Sequence, residues 1–176
     1  MPARPPVTIV PAQVSDAALL SRLAGQTFRE SHGHSAAPAD IDAYEAAKYK
    51  EAELERELSD PNNIYHLVYY EGEPAGFSKI QLNSPYKGAA QSNLAKLDRI
   101  YVLRAWYDKG LGKTLFQFLV SLMKDAGQAG TWLYTWKENH RAIAFYERQG
   151  FRIIGSHDFF LSPTHSNPNW QMLLLF

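Results

Sequence analysis

A buried strand that leads through a glycine turn into an amphipathic helix constrains the fold of this chain more than any other feature. Residues 97–103 have few polar positions, which is typical of a strand in the interior of a sheet. After Gly110, the next stretch places its apolar side chains at helical spacing, at Leu111, Leu115, Phe118, Leu119, Leu122 and Met123. A central strand followed by such a helix predicts a sheet with helices packed on it, which is the α/β class.

The rest of the chain continues this alternation of strands and helices. Further strands are predicted at residues 7–10, 64–70, 75–82, 132–136, 151–161 and 170–175. Ser15 is expected to cap a first helix that the segment 31–38 breaks, and further helices are predicted at residues 40–58 and 139–149. One domain spanning residues 1–176 is expected, because this length is too short for two ordinary domains.

The composition excludes several classes of protein. The absence of cysteine rules out disulfide scaffolds, Cys-ligated zinc, iron–sulfur clusters and a cysteine nucleophile. The 18 Lys and Arg residues equal the 18 Asp and Glu residues, which argues against a protein that coats nucleic acid. No apolar run approaches the roughly 18 residues of a membrane span, and the first six residues lack the apolar stretch of a secretory signal. We therefore expect a cytoplasmic protein without nucleic-acid or membrane partners.

The start of the helix after residue 110 has the features of an anion site. The first N–H groups of a helix lack partners within it and carry partial positive charge, so a phosphate group is the usual ligand there. Gly110 and Gly112 allow close approach of the backbone, and Arg104, Lys109 and Lys113 add positive charge.

Three interpretations of this segment are open. It can be an ordinary strand–helix connection, a nucleotide-binding P-loop or a loop for the pyrophosphate of coenzyme A. The P-loop fits least well, because Tyr107 stands where its first glycine is needed. The predicted strand at residues 132–136 also lacks a terminal aspartate for magnesium.

A second motif at residues 139–151 adds to the first. The stretch Asn-His-Arg-Ala-Ile-Ala-Phe-Tyr-Glu-Arg-Gln-Gly-Phe resembles a motif of the GCN5-related N-acetyltransferase (GNAT) family, with matches at Asn139, Ala142, Phe145, Tyr146, Gly150 and Phe151. The family's other motif, Gln/Arg-x-x-Gly-x-Gly/Ala, is matched by Gly110 and Gly112, with Tyr107 in place of Gln or Arg. The two motifs together cover about residues 97–155.

The resemblance implies a GNAT fold and a site for acetyl-CoA. The fold would be a mixed, mostly antiparallel twisted sheet of about seven strands with about four helices, splayed between the fourth and fifth strands. The pantetheine arm is expected to pair with the main chain of Val102 and Leu103 and to form a hydrogen bond with Asn139, while Ala142 and Phe145 pack beside it. The pyrophosphate is expected on Arg104, Lys109, Gly110, Leu111, Gly112, Lys113 and Thr114. No metal is expected.

The implied reaction is direct attack of an amine on the acetyl thioester in a ternary complex. The lack of cysteine agrees with this, because no acyl-cysteine intermediate can form. Tyr146 matches the family's general acid, which would protonate the leaving thiolate; a role in packing alone is the alternative. A base should deprotonate the amine, and Asp98, His157 and Glu138 are the candidates.

The acceptor pocket is expected near the break between the first two helices. Its lining is expected to include Phe28, His32, Tyr44 and Tyr49. A metal site is not expected here, because His32 and His34 have no third ligand at metal-site spacing. Residues 40–60 carry eight acidic and three basic side chains. This stretch is either a solvated helix face or a rim that attracts a cation.

The identity of the acceptor and the assembly of the chain are less constrained. Residues 97–102, 136–139 and 155–159 are similar to a PaiA-like subgroup of polyamine acetyltransferases. A polyamine is therefore the leading hypothesis for a small-molecule amine acceptor. A GNAT scaffold that binds acyl-CoA without turnover is the alternative, and either a monomer or a homodimer is compatible with the sequence.

Overall fold

The computed structural model describes residues 6–176, so five of the six residues used to judge a secretory signal lie outside the described residues. The strands are β1 (Val7–Pro11), β2 (Ile64–Tyr70), β3 (Glu73–Gln81), β4 (Leu94–Val102), β5 (Gly130–Trp136), β6 (Arg152–Ser162) and β7 (His165–Leu175). The helices are α1 (Ala17–His32), α2 (Pro38–Lys48), α3 (Glu51–Ser59), α4 (Leu111–Asp125) and α5 (His140–Arg148), with short 3₁₀ turns at Val14–Asp16 and Arg104–Trp106.

The seven strands form one sheet in the order β1-β2-β3-β4-β5-β7-β6. Neighbouring strands are antiparallel except for β4 and β5, which are parallel. The parallel pairing consists of three residue pairs and ends at Lys96 and Trp132. Beyond that point β4 stays paired with β3 as far as Val102, and β5 stays paired with β7. The sheet is therefore splayed between its fourth and fifth strands, as expected for the GNAT fold, and β4 has an open main-chain edge.

Helices cover both faces of the sheet. α1, α2 and α3 pack on one face, where the buried core includes Phe28, Leu54 and Leu67. α4 and α5 pack on the other face, where the core includes Val68 and Leu119. Leu67 and Val68 are neighbours in β2 and serve different cores, because successive side chains of a strand point to opposite faces. Within residues 6–176, no helix combines the length and the apolar character needed to cross a bilayer.

A β-bulge in β4 decides which of its side chains face the α1–α3 layer. Lys96 lies opposite Gln81, and Arg99 lies opposite Lys79, while Asp98 has no partner in the register. Gln81 and Lys79 are two residues apart and share a face, so Lys96 and Arg99 also share that face although they are three residues apart. The bulge thus turns both cationic side chains of β4 toward the same layer.

The structure differs from the predicted helices in two details. The helix predicted at residues 40–58 is divided into two, so residues 6–176 contain five α-helices where about four were expected. The chain turns at Tyr49, whose ring is buried in the core, and Lys50 has extended backbone before α3 begins. Ser15 does not cap α1, because it lies inside a 3₁₀ turn in which the Asp16 carboxylate accepts a hydrogen bond from the Gln13 N–H.

Candidate active site

A cavity of about 1340 Å³ opens at the splay of the sheet. Pockets for a single small ligand measure about 300–1,000 Å³, so the volume suits two ligands side by side. We call the part lined by Gly110, Gly112 and Tyr146 the α5 half. The part lined by Phe28 and Arg99 is called the α1 half.

The start of α4 presents unpaired main-chain donors to the α5 half. Gly110 precedes the helix with a φ of 73°, a left-handed conformation that favours glycine. The N–H groups of Leu111, Gly112 and Lys113 make no backbone hydrogen bond within the described part of the chain. Because these donors lie at the positive end of the helix dipole, they suit an anionic ligand.

Gly112 leaves space that the packing of the protein does not use. A Cβ atom built at this position would meet the Phe145 ring at 4.0 Å, which is an ordinary contact, and no other atom of the described residues within that distance. The protein's own packing therefore does not demand a glycine here. A ligand lying between α4 and α5 would account for it, because glycine lets the backbone approach such a ligand closely.

Several residues predicted to hold the pyrophosphate or the pantetheine arm are engaged elsewhere. Arg104 is tied to α1, because its backbone N–H and its Nη2 donate to Glu30 Oε2 and O at 2.7 and 2.5 Å. The Leu103 N–H donates to Ala75 O, and its carbonyl accepts from the Trp106 N–H. The Thr114 N–H donates to Gly110 O at 3.0 Å.

These groups of Arg104, Leu103 and Thr114 are therefore paired within the protein, and none of the three residues lines the cavity. Lys109 is exposed and does not line the cavity.

Val102 is placed differently from Leu103. The Leu103 N–H and the Tyr101 carbonyl are directed at β3, as the bond to Ala75 and the closeness of Tyr101 O to Gly76 indicate. Since successive residues of a strand direct their N–H and C=O groups to opposite sides, the main chain of Val102 is directed at the open edge. Val102 also lines the cavity.

Tyr146 lines the α5 half and lies where the two halves meet, because it and the α1-half residues Tyr44 and Tyr49 all lie close to Tyr101. It is carried by α5, whose first turn is capped by Asn139 through a hydrogen bond from the Ala142 N–H to Asn139 Oδ1, at 3.2 Å. Tyr146 lines the cavity, and its hydroxyl makes no hydrogen bond to a side chain among residues 6–176. Burial raises the pKa of Tyr146, so the phenol stays protonated at neutral pH.

The α1 half has an aromatic wall that contains all four residues predicted to line an acceptor pocket. The Phe28 ring lies 5.5 Å from His32, 4.9 Å from Tyr44 and 5.6 Å from Tyr49, measured between ring centroids. Burial lowers the pKa of His32 to about 4, so its ring is neutral at physiological pH.

A tryptophan that the sequence analysis missed completes this wall. Trp136 packs against both His32 and His34, at 5.6 and 5.3 Å between ring centroids. In the described part of the chain, no group of three His, Cys, Asp or Glu residues is arranged to hold a metal ion.

Asp98, one of the three candidate bases, belongs to a buried ion cluster. Lys79 Nζ lies 2.9 Å from Glu57 Oε2 and 3.2 Å from Asp98 Oδ2, and Lys96 Nζ lies 2.9 Å from Asp98 Oδ1. Burial on its own would raise the pKa of Asp98, but Lys79, Lys96 and Arg99 outweigh it and hold that pKa at about 2. A carboxylate held so firmly in its charged form is a weak proton acceptor at neutral pH.

The other two candidate bases lie in different surroundings. His157 lines the cavity at its mouth and stacks on Tyr134, with ring centroids 4.6 Å apart. Glu138 is exposed and does not line the cavity, and its carboxylate lies 3.8 Å from His140. The structure therefore places His157, and not Glu138, within reach of a ligand in the cavity.

The sequence analysis also missed polar residues of the cavity. Asn169 is buried and lines the α1 half, yet its Oδ1 has no hydrogen-bond partner among the described residues. Arg141 lines the α5 half, stacks on Tyr107 at 3.8 Å and lies 3.6 Å from Asp108. Arg99 was missed as well, although a charged side chain within a mostly apolar strand is a signal that the sequence does contain. Asn169 carries no comparable signal in the sequence.

Comparisons with known proteins agree with this geometry. The model of the acetyltransferase (GNAT) family matches residues 25–151. The N-acetyltransferase in the pepI 3′ region of Lactobacillus delbrueckii subsp. lactis is 26% identical over 155 residues, which are 88% of this chain and 90% of that protein. The spermine/spermidine N(1)-acetyltransferase of Bacillus subtilis (strain 168) is 30% identical over 93 residues, 52% of this chain and 61% of that protein.

A solved structure shows the same fold. The PaiA N-acetyltransferase of Thermoplasma acidophilum, crystallised in complex with coenzyme A, superposes with a TM-score of 0.77 at 20% sequence identity. The match covers 97% of this chain and 99% of that chain.

Proposed function

The chain belongs to the acetyltransferase (GNAT) family, so it is an N-acetyltransferase that uses acetyl-CoA. We propose that the α5 half of the cavity holds this donor and that the α1 half holds a small molecule with a primary amine. The observation that carries the proposal is the open edge of β4 between two different surfaces. One surface offers main-chain donors at the start of α4, and the other offers aromatic and polar side chains.

The α5 half fits acetyl-CoA in three respects. The free N–H groups of Leu111, Gly112 and Lys113 suit the oxygens of a pyrophosphate. The main chain of Val102 is free to pair with the amide groups of a pantetheine arm. Space beside Gly112 admits a ligand close to the helix. When bound, acetyl-CoA supplies an acetyl thioester, which is an activated acyl group with a thiolate as its leaving group.

Tyr146 is suited to the role of general acid. Tyr146 lines the cavity, and burial raises the pKa of its phenol, which stays protonated at neutral pH. Donation of this proton to the leaving thiolate would lower the barrier to cleavage of the thioester. Asn139 has a positioning role, because it caps α5 and so fixes the first turn of the helix that carries Tyr146.

His157 is the strongest of the three candidate bases. It lines the mouth of the cavity, whereas Asp98 is locked in an ion cluster and Glu138 lies outside the cavity. The side-chain amide of Asn169 lines the same part of the cavity and would hold the acceptor by a hydrogen bond.

Substitution of His157 tests its role as the base. His157→Gln should lower kcat at neutral pH, and a higher pH should restore the rate, because a free alkyl amine with a pKa of about 10 then loses its proton to solvent. A rate deficit that stays constant with pH would contradict this role.

A polyamine is one hypothesis for the acceptor. It is supported by the name of the Bacillus subtilis relative, a spermine/spermidine acetyltransferase, although that match covers about half of this chain. The acidic stretch at residues 40–60 gives it less support. Asp42 and Glu45 pair with Arg29 outside the cavity, and Glu53 pairs with Arg56. Glu57 belongs to the buried ion cluster, so no carboxylate of residues 40–60 that lines the described cavity is unpaired.

The proposal is tested by mixing the protein with acetyl-CoA and a panel of primary amines. Release of free CoA thiol is followed in solution, and the acetylated amine is identified by mass spectrometry. Thiol release that depends on the amine, with one acetyl group added to it, is the expected result. Binding of coenzyme A without acetylation of any amine would instead favour a binding module without turnover.

A further inference from the structure

We propose that the acceptor carries a carboxylate close to its amine, and that this carboxylate binds to the free Nε–Nη2 edge of Arg99, with Lys96 beside it. This inference rests on the proposed function, because it assigns the α1 half of the cavity to the acceptor. It deepens that function by naming the class of amine: an amino acid or a related amino carboxylate, and not a polycation.

The hydrogen bonds of Arg99 leave one side of its guanidinium unused. Nη1 donates to the Tyr65 hydroxyl at 2.8 Å and reaches Glu57 Oε2 at 3.4 Å. Nε lies 3.9 Å from Asp98 Oδ2, which is too long for a hydrogen bond, and Nη2 has no partner among the described residues. A guanidinium has five N–H donors, and its flat edges match a carboxylate with two parallel hydrogen bonds.

These unused donors are in contact with the cavity. Nε and Nη2 of Arg99 have no hydrogen-bond partner among the described residues, and neither atom is fully buried. Arg99 also lines the cavity. The guanidinium is held in place by the Tyr49 ring, whose centroid lies 5.1 Å away. A group fixed in this way loses little freedom when it binds a ligand, and that favours tight and selective binding.

The charges around Arg99 point to an anion with a single negative charge. The buried cluster contains three cations, Lys79, Lys96 and Arg99, and two carboxylates, Glu57 and Asp98. One positive charge is therefore not neutralised, and an uncompensated charge in a buried cluster is unfavourable. One carboxylate from a ligand would balance it, whereas a polyamine would add further positive charge to the same region.

The rest of the α1 half does not change this balance. At the rim Arg56 pairs with Glu53, and the lining residues Lys48 and Asp158 have opposite charges. His32 is neutral at physiological pH. The bulge in β4 turns Lys96 and Arg99 toward this half together, so both can face one ligand group.

Matched pairs of amines that differ in one carboxylate test the inference on the unaltered protein. The pairs are L-lysine and cadaverine, L-ornithine and putrescine, and 4-aminobutyrate and propylamine. Equilibrium binding is measured by calorimetry on protein saturated with coenzyme A, which has no acetyl group to transfer, and thiol release is measured separately with acetyl-CoA. In at least one pair we expect the carboxylate member to bind at least about tenfold more tightly, since charge-assisted bidentate pairs are strong.

The variant Arg99→Lys assigns the effect to the guanidinium edge. Lysine keeps the positive charge beside Glu57 and Asp98 but cannot form two parallel hydrogen bonds. We expect the preference for the carboxylate member to fall by at least about tenfold. The matched control is Arg22→Lys on the exposed side of α1, which should keep the full preference. A thermal melt shows whether each variant is folded. If Arg99→Lys does not fold, the amine pairs measured on the unaltered protein still test whether the acceptor site prefers a carboxylate.

The outcomes separate this inference from the proposed function. Tighter binding of the carboxylate members supports the inference, even if no amine is acetylated and the proposed function fails. Equal or weaker binding in all pairs, including no measurable binding, overturns the inference. If polyamines are acetylated while their carboxylate counterparts are not, the proposed function stands and the inference is wrong.

Discussion

The two halves of the cavity are built in opposite ways. The α5 half is made mainly of main-chain groups, and its parts come from one stretch of chain between β4 and α5. The α1 half is made of side chains from six elements, with Phe28 on α1, Tyr44 on α2, Arg99 on β4, Trp136 on β5 and Asn169 on β7, while β6 provides His157.

This difference has a physical consequence for recognition. Main-chain donors are present whatever the side chains are, so the α5 half needs few specific residues beyond small ones such as Gly112. The α1 half depends on each side chain and on the contacts that orient it. Substitutions should therefore affect the halves separately, except at Tyr146, where the halves meet.

The largest effect is expected at that meeting point. Tyr146→Phe removes the proposed proton donor and keeps the ring, so kcat should fall about 100-fold, in the lower part of the range for acid catalysis. Affinity for acetyl-CoA should stay unchanged, as measured by calorimetry. The control is Tyr86→Phe, a tyrosine packed on Trp132 outside the cavity. An unchanged kcat would show that Tyr146 serves packing alone.

The next largest effect is expected from a charge in the α1 half. Asp98 has a pKa of about 2 in the folded protein against a reference of 3.8, so Asp98→Asn should cost about 2 kcal/mol of unfolding free energy at neutral pH. This stabilisation is fully present above the pKa that Asp98 has in the unfolded chain, and it is lost as the pH falls from about 4 toward 2. The unfolding free energies of the variant and the unaltered protein should therefore become equal near the lower pH.

Urea unfolding at several pH values measures this difference. Asp125→Asn, at an exposed position in the last turn of α4, serves as the control. A loss of stability in Asp98→Asn that is the same at every pH would mean that the ion cluster is not its source.

A smaller effect, with opposite signs for binding and stability, is expected in the α5 half. Gly112→Ala adds a Cβ that the protein tolerates but that occupies the space beside the helix start. Coenzyme A binding should weaken about tenfold, while the unfolding free energy should rise by up to ~1 kcal/mol because alanine favours the helix. Gly155→Ala on β6 is the control, and it should leave coenzyme A binding as it is. Tighter or equal binding in Gly112→Ala would contradict the assignment of this space to the donor.

The smallest effect is expected at Asn169. Removal of its side-chain amide by Asn169→Ala should raise KM for the amine about fivefold, since a neutral hydrogen bond contributes on the order of 1 kcal/mol. Coenzyme A binding should not change, as steady-state kinetics and calorimetry can show together. Asn62→Ala, at an exposed position beyond α3, is the control. A change in donor binding alone would mean that the halves are not separate at this residue.

The same division explains what could be predicted from the sequence. The strand, the glycine turn, α4 and α5 follow from local spacing, and the splay followed from the resemblance to the GNAT family. Arg104 was placed in the α5 half because it lies near the loop in the sequence, but its hydrogen bonds lead to Glu30, which is 74 residues away. The pattern of charges and apolar residues along one segment does not contain such a contact.

The α1 half shows the limit from the other side. Its aromatic residues were predicted because they lie near one helix break, and Phe28 and Tyr44 do pack together. Trp136 and Asn169 were missed, since they reach the same wall through β5 and β7. The break at Tyr49 was also missed, because the burial of its ring overrides the helical preference of the surrounding residues.

The bulge at Asp98 has a consequence for how related chains can diverge. Deletion of this one residue would leave Lys96 and Arg99 two residues apart in a regular strand, so both cations would still face the cavity. The carboxylate that pairs with Lys79 and Lys96 would be lost, and the cluster would carry two positive charges that are not neutralised instead of one. The start of α4 and its main-chain donors would be unaffected. A deletion at this position is therefore a single genetic event that could favour acceptors with a second negative charge while coenzyme A binding persists.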